Sequence, residues 1–270
     1  MLRPAIDNLT PLADAMPLDK LFQVECCVTE DVRFQNSVSC YDRRLPYVGY
    51  QSSHPGPLAI VGSGPSAKDY VGDLNGFNEV WGINGAFNWL RSEGVKVDAF
   101  VGMDPERFLV DYLNETPDAI YYVASQCHPD VFDRLKDNKV RTWHVQDPSV
   151  PPQKGQYPIP GGSTCLSRAL YLASLMGWTD IHVFGGDSSY EGEEEYAYGG
   201  KVFGCEDCFA EVDGTKYRTN RQFLTQAIEI TEVLKNFPGS VTIHGRGLLV
   251  AIAEQGKPAF DKLQRKLKRA

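Results

Sequence analysis

The sequence has no apolar run approaching the roughly 20 residues that cross a bilayer as a helix. Its mean hydropathy is −0.31, so no transmembrane segment is expected. Positive charge is also in short supply. Lys and Arg number 27 against 35 Asp and Glu, a formal net charge of −8. A chain with a pI near 5.2 lacks the clustered cations that grip nucleic acid independently of sequence, and no stable nucleic-acid complex is expected. The opening MLRPAIDNLTPLADAMPLDKLF has no basic segment followed by an unbroken apolar core. That argues against a secretory signal and for a cytoplasmic protein. Seven cysteines are an odd number, and a chain of this length can build a core without disulfides, so reduced thiols acting as small apolar fillers are expected. Cys205-x-x-Cys208 has no second pair beside it, whereas a structural zinc site needs four ligands.

What is present is a globular composition: 270 residues, 42% hydrophobic and 23% charged, enough for one large domain or two small ones. Residues 1–56 show weak periodicity, broken by Pro4, Pro11, Pro17 and Pro46, and Ser52-Ser-His-Pro-Gly-Pro57 has the composition of a linker. They are expected to form an N-terminal arm packing on the core. From Pro57 the pattern changes. Short apolar runs recur at Leu58–Val61, Glu79–Ile83, Asp98–Met103, Ala119–Ala124, Val140–Val145, Asp180–Phe184 and Val241–His244. Nearly continuous β-branched and aromatic runs suit strands buried on both faces. Helical patterns alternate with them at Ser66–Asp73, Ala86–Glu93, Glu106–Asn114, Pro129–Lys136, Thr164–Met176 and Asn220–Asn236. That alternation predicts an α/β, Rossmann-like, mostly parallel sheet over 57–255, with helices on both faces.

Residues 188–217 break the rhythm with a glutamate cluster, several tyrosines and a predicted hairpin turned at Asp213-Gly214. Their aromatic content and length predict a lid insertion with little packing of its own. Residues 256–270 form a basic stretch with Phe260, Leu263 and Leu267 at helical spacing, read as a terminal helix.

Gly62-Ser-Gly-Pro-Ser66 directly follows the first strand of the sheet. Its glycines allow close backbone approach, and Pro65 suits a first helical turn whose free N–H groups favour a phosphate. Gly62, Gly64 and Ala67 satisfy G-x-G-x-x-G/A, but the acid that binds the ribose hydroxyls of NAD is absent. Its place holds Ile83-Asn84-Gly85, which argues against a dehydrogenase. Gly161-Gly-Ser-Thr164 opens a second helix, and two such starts suit a donor's phosphates. Thus Gly62, Ser63, Gly64, Pro65, Ser66, Asn84, Gly85, Gly162, Ser163 and Thr164 are the candidate nucleotide-binding residues. Polar residues follow nearly every strand, where open parallel sheets place their ligand crevice. Asp104 and Asp187 are candidates for acceptor activation or for holding a divalent cation such as Mg, and His128 is a third candidate acid or base. Ser188, Tyr190, Tyr196 and Tyr198 are candidates for contact with substrate. His144 and His182 lie within strands and are expected in the core or at a packed edge.

Ile60-Val-Gly-Ser-Gly-Pro-Ser66, Gly82-Ile-Asn-Gly85, Gly102-Met-Asp-Pro105, Gly161-Gly-Ser-Thr-Cys-Leu-Ser-Arg-Ala-Leu170 and Val183-Phe-Gly-Gly-Asp-Ser-Ser-Tyr190 occur in that order. Together they resemble the MptE-like family, which includes motility accessory factors and archaeal 6-hydroxymethylpterin diphosphokinases. The layout is also similar to bacterial sialyltransferases that use a CMP-sugar. The resemblance covers about 57–200, with a looser continuation through Gln222 to Leu234, and implies a transferase with a nucleotide-activated donor, a CMP-sugar or another nucleotide-sugar, and a separate acceptor. Gly185-Gly-Asp187 followed by a tyrosine-bearing loop is similar to the glycosyltransferase-like branch. The diphosphokinase branch, which uses ATP and magnesium, looks richer in acids at the second and third strand ends, where this chain offers Asn84 and Asp104. A non-catalytic nucleotide-binding module is the third reading.

Overall fold

The computed structural model describes residues 8–10, 27–192, 194, 196–199 and 207–254. Cys205, the basic stretch 256–270 and most of the first 26 residues lie outside the described residues. The central sheet has eight strands: β2 (Leu58–Val61), β3 (Glu79–Ile83), β4 (Ala99–Gly102), β5 (Ile120–Ala124), β6 (Lys139–Val145), β7 (Pro158–Ile159), β8 (Asp180–Phe184) and β11 (Ser240–Ile243). Their order is β11-β8-β2-β3-β4-β5-β6-β7, and every adjacent pair is parallel. This is the α/β parallel sheet read from the sequence. Leu58, Ala59, Ile60 and Val61 of the middle strand are all fully buried, which accounts for their uninterrupted apolar run. Trp81, Phe100, Tyr121, Trp143 and Phe184 extend that core across the sheet.

The chain runs outward from β2 to β7, then returns to lay β8 on the other side of β2. Right-handed crossovers therefore place the helices of the two halves on opposite faces. The outward half uses α2 (Gly85–Ser92), α3 (Pro129–Arg134) and two 3-10 segments, Pro65–Tyr70 and Arg107–Tyr112. The return uses α4 (Cys165–Leu175) and α5 (Arg221–Asn236). The two 3-10 segments replace expected α-helices. Gly72 and Gly76 follow the first closely, and Pro105 and Pro117 bracket the second, leaving too little chain to offset helix nucleation. Reversal of strand order between β2 and β8 opens a crevice outside their carboxyl ends.

Two elements depart from the sequence reading. Helix α1 (Glu30–Asp42) lies within the weakly periodic arm. It buries Asn36, Ser37 and Cys40 and leaves Val32, Phe34 and Val38 exposed, so its inward face carries no apolar stripe. Asn36 Nδ2 instead donates to the carbonyls of Pro105 and Gln126. The second is a three-stranded antiparallel sheet. Strands β9 (Asp207–Val212) and β10 (Thr215–Asn220) turn at Asp213-Gly214, both with positive φ, as the sequence predicts. Strand β1 (Asn8–Thr10) pairs with the far side of β9.

Candidate active site

A cavity of about 180 Å³ lies at the carboxyl edge of the sheet, beside the β2/β8 reversal. Gly62, Ser63 and Gly64 line it after β2, Asn84 after β3, Asp104 after β4, and Asp187, Ser188 and Ser189 after β8. Ser163 and Thr164 enter from the start of α4, and Tyr196 from the 188–217 segment. Five loops separated by up to about 130 residues thus converge on one place. Among the described lining residues there is no Lys, Arg or His.

Two lining residues carry backbone strain. Asn84 and Ser188 have positive φ without being glycine, at 47° and 53°, a conformation that surrounding structure must hold in place. Asn84 N–H donates to Val101 O at 3.1 Å, while its buried Oδ1 has no hydrogen-bond partner among the described residues.

The first glycine motif differs from its expected role as an open phosphate cradle. Gly62 N–H donates to Phe184 O and Gly64 N–H to Gly185 O, both at 2.8 Å. Ser66 N–H and Oγ–H donate to the two oxygens of Asp187, at 2.8 and 2.5 Å. The anion at this helix start is therefore Asp187 itself, 5% exposed. Burial pushes its carboxyl above the usual carboxylate range, and the Ser66 bonds pull it partway back. Each of its oxygens thus accepts one bond from Ser66. Asp104 lies near Glu106 and Cys27, with ligand atoms of all three within 4.8 Å of one another. Its Oδ1 accepts from Glu106 N–H at 3.0 Å.

At the second motif Thr164 caps α4, its Oγ1 accepting from Ser167 N–H at 3.4 Å. Ser163 N–H and Oγ–H both donate to one oxygen of Glu229, at 2.8 and 3.0 Å. Gly162 stands behind Ser163 and does not line the cavity. Burial also raises the Glu229 carboxyl above its usual range, opposed by the Ser163 bonds and by Arg168.

Pro65, Ser66 and Gly85 sit behind the lining. Tyr198 Oη–H donates to Ser63 Oγ at 3.3 Å, and the Tyr198 ring stacks on Tyr196 at 5.2 Å. Tyr190 lies apart from the cavity. Its Oη accepts from Asn220 Nδ2 at 2.5 Å, and its ring meets Phe223 and Arg218. His128 corrects an expectation: it is absent from the lining and caps α3, its Nδ1 accepting from Asp130 N–H at 3.2 Å. His144 is fully buried between Ser125, Tyr41 and Val150, and His182 bonds His244 at the sheet edge.

Sequence reasoning missed Gln222, Phe223 and Gln226, which line the cavity from α5. Gln226 Oε1 accepts from Ser188 Oγ–H at 2.9 Å, and its Nε2 donates to Thr164 Oγ1 at 3.4 Å. Two glutamines four apart behind the Asn220 cap were the available signal.

The parallel order, the reversal beside β2 and the loops gathered there define a Rossmann-like protein with its crevice at the switch point. The family model described as 6-hydroxymethylpterin diphosphokinase MptE-like matches residues 42–193, more than half of the chain, and the chain belongs to the MptE-like family. Its fold is similar to that of the MAf glycosyltransferase from Magnetospirillum magneticum AMB-1, with a TM-score of 0.61 and 12% identity. That alignment covers 90% of this chain but 43% of the other, so the chain spans less than half of that protein. A mammalian sialyltransferase, solved with Gal-beta-1-3GalNAc-ortho-nitrophenol, aligns at 11% identity over 91% of each chain with a TM-score of 0.45. No curated protein matches the sequence. Among the described residues no helix is long and apolar enough to cross a membrane.

Proposed function

We propose that this chain is a glycosyltransferase-like enzyme that moves a sugar from a nucleotide-activated donor to a hydroxyl acceptor. The observation that carries this reading is the cavity wall. Ser63, Asn84, Thr164, Ser188, Gln222 and Gln226 supply hydroxyls and amides, Asp104 supplies a carboxylate, and Tyr196 supplies a ring. Such groups match the hydroxyls and faces of a sugar or nucleoside. The diphosphokinase named in the family description is the second reading, and Asp104 and Asp187 in the lining are the carboxylates it would use.

In this reading the donor's phosphate sits between Ser63 and Asn84, and the acceptor lies beside Asp104 under Tyr196. The acceptor oxygen attacks the anomeric carbon, and its proton passes to Asp104. The bond from that carbon to the phosphate oxygen breaks, and its electron pair leaves with the nucleotide. The cavity is smaller than the ~300–1,000 Å³ usual for ligand sites, so donor entry requires the segment carrying Tyr196 to move. The buried thiols of Cys40, Cys127 and Cys165 support work in a reducing cytoplasm.

A thermal-shift panel followed by turnover assays tests this reading. Stabilisation by a CMP-, UDP- or GDP-sugar, with release of the nucleotide, is the expected result. Stabilisation by ATP only with magnesium would replace it with diphosphoryl transfer, and tight binding without turnover of any donor would replace it with a binding module. Asp104→Asn is expected to lower turnover about 100-fold or more while leaving donor affinity nearly unchanged.

A further inference from the structure

The second glycine motif already holds an anion. Ser163 presents both of its donors, N–H and Oγ–H, to Glu229 Oε2. A Cβ on Gly162 would collide with that same carboxylate, so the glycine admits Glu229 rather than a ligand. Arg168, whose charge acts on this carboxylate, spends its Nε on Gly162 O at 2.8 Å and its Nη1 on Ile159 O at 2.6 Å. It shapes the loop and is absent from the cavity lining. What faces the cavity here is uncharged: Thr164, Ser188, Gln222 and Gln226.

We propose that Glu229 is a specificity-determining residue that keeps phosphate off Ser163, so that this end of the cavity takes a neutral, hydroxyl- or amide-bearing group. The inference rests on the proposed donor reading and deepens it. Base or sugar lies against Thr164 and Gln226, and phosphate binding is confined to the Ser63–Asn84 end. Removing the charge of Glu229 turns the second motif into the anion site that its sequence advertises, with a free amide at a helix start.

The test is calorimetric titration with inorganic pyrophosphate, compared between the wild-type chain, Glu229→Gln and Gly162→Ala. Glu229→Gln removes the charge at nearly constant shape, whereas Gly162→Ala pushes the intact side chain off Ser163. Either variant is expected to bind pyrophosphate at least about tenfold more tightly than wild type, the scale of one charge-assisted contact. Glu93→Gln, on the exposed end of α2, serves as the control for loss of one charge and should leave the affinity unchanged. Unchanged or weaker pyrophosphate binding in whichever variant folds overturns the proposal, as does an equal gain in the control. Pyrophosphate needs no donor chemistry, so a chain that binds no nucleotide-sugar defeats the proposed function while the role of Glu229 is still read directly.

Discussion

The two glycine motifs look alike in sequence but differ in how they are built. In the first, Asp187 comes from the strand end beside β2 and engages Ser66 with both oxygens. A Cβ on Gly64 would lie 2.5 Å from Asp187 Oδ2 and 2.7 Å from the backbone oxygen of Gly185. In the second, Glu229 reaches from a helix on a longer side chain and uses one oxygen. The first is a lock between two strand ends, and the second is a contact that can be displaced. A glycine-rich helix start is thus no guarantee of an open phosphate site. Whether it can open depends on whether the resident anion is backbone-anchored or hangs from a flexible stem.

The largest effect that sharpens this contrast is steric. Gly64→Ala must move the backbone at Gly185 and is expected to cost about 3 kcal/mol in urea unfolding. Gly162→Ala meets the Glu229 carboxylate, which can swing away, and Glu229 Cβ at 2.7 Å, which requires a small shift of α5, and is expected to cost about 1–2 kcal/mol. Equal costs would erase the distinction between lock and displaceable contact.

A smaller effect concerns pH. The folded-state pKa of Asp187 is raised, so the folded chain holds that proton more tightly than the unfolded one. The corresponding stability is complete below the unfolded value of about 3.9 and is lost as pH rises through the folded value. Asp187→Asn keeps an acceptor for the Ser66 N–H and cannot ionise. Its stability relative to wild type should therefore improve as pH rises across that window, as read from melting temperatures. A constant difference would mean that Asp187 titrates normally.

The smallest effect concerns what covers the first motif. Arg246 pairs with Glu191 at 2.7 Å and with Asp69, and Lys68 pairs with Glu194 at 2.6 Å. These pairs are half-exposed and contribute at most about 1 kcal/mol, less in salt. Arg246→Ala should barely change global stability. It should speed hydrogen exchange at the Ala197 amide, which donates to Ser63 O at 2.8 Å.

Much of the fold was legible because buried parallel strands advertise themselves. Leu58–Val61, Glu79–Ile83 and Asp180–Phe184 are strands with the bounds their apolar runs predict. Helix α1 was not legible, because its inward face buries the polar Asn36, held by hydrogen bonds, and Ser37, which leave no hydrophobic period. At the site, convergence at the strand ends followed from topology, bringing Asn84, Asp104 and Asp187 to one cavity. Occupancy of the motifs did not, because it depends on which distant carboxylate finds the free amides. Glu229 lies 66 residues beyond Ser163, and spacing within a motif carries no information about such a partner.

The pairing of β1 with β9 has a consequence for how the chain assembles. Strands β9 and β10 meet through a two-residue turn, whereas Asn8 must find Glu211 from about two hundred residues away. Closing a loop of that length costs about 2.7 kcal/mol more than closing one of ten residues. The hairpin therefore forms early, and its outer edge stays open until β1 arrives. During that interval β9 offers unpaired backbone amides and carbonyls, with the half-exposed Phe209 ring beside them, the kind of edge on which two chains can join by mistake. Strand β1 thus closes its sheet from a distance, and that sheet depends on it to protect the edge of β9.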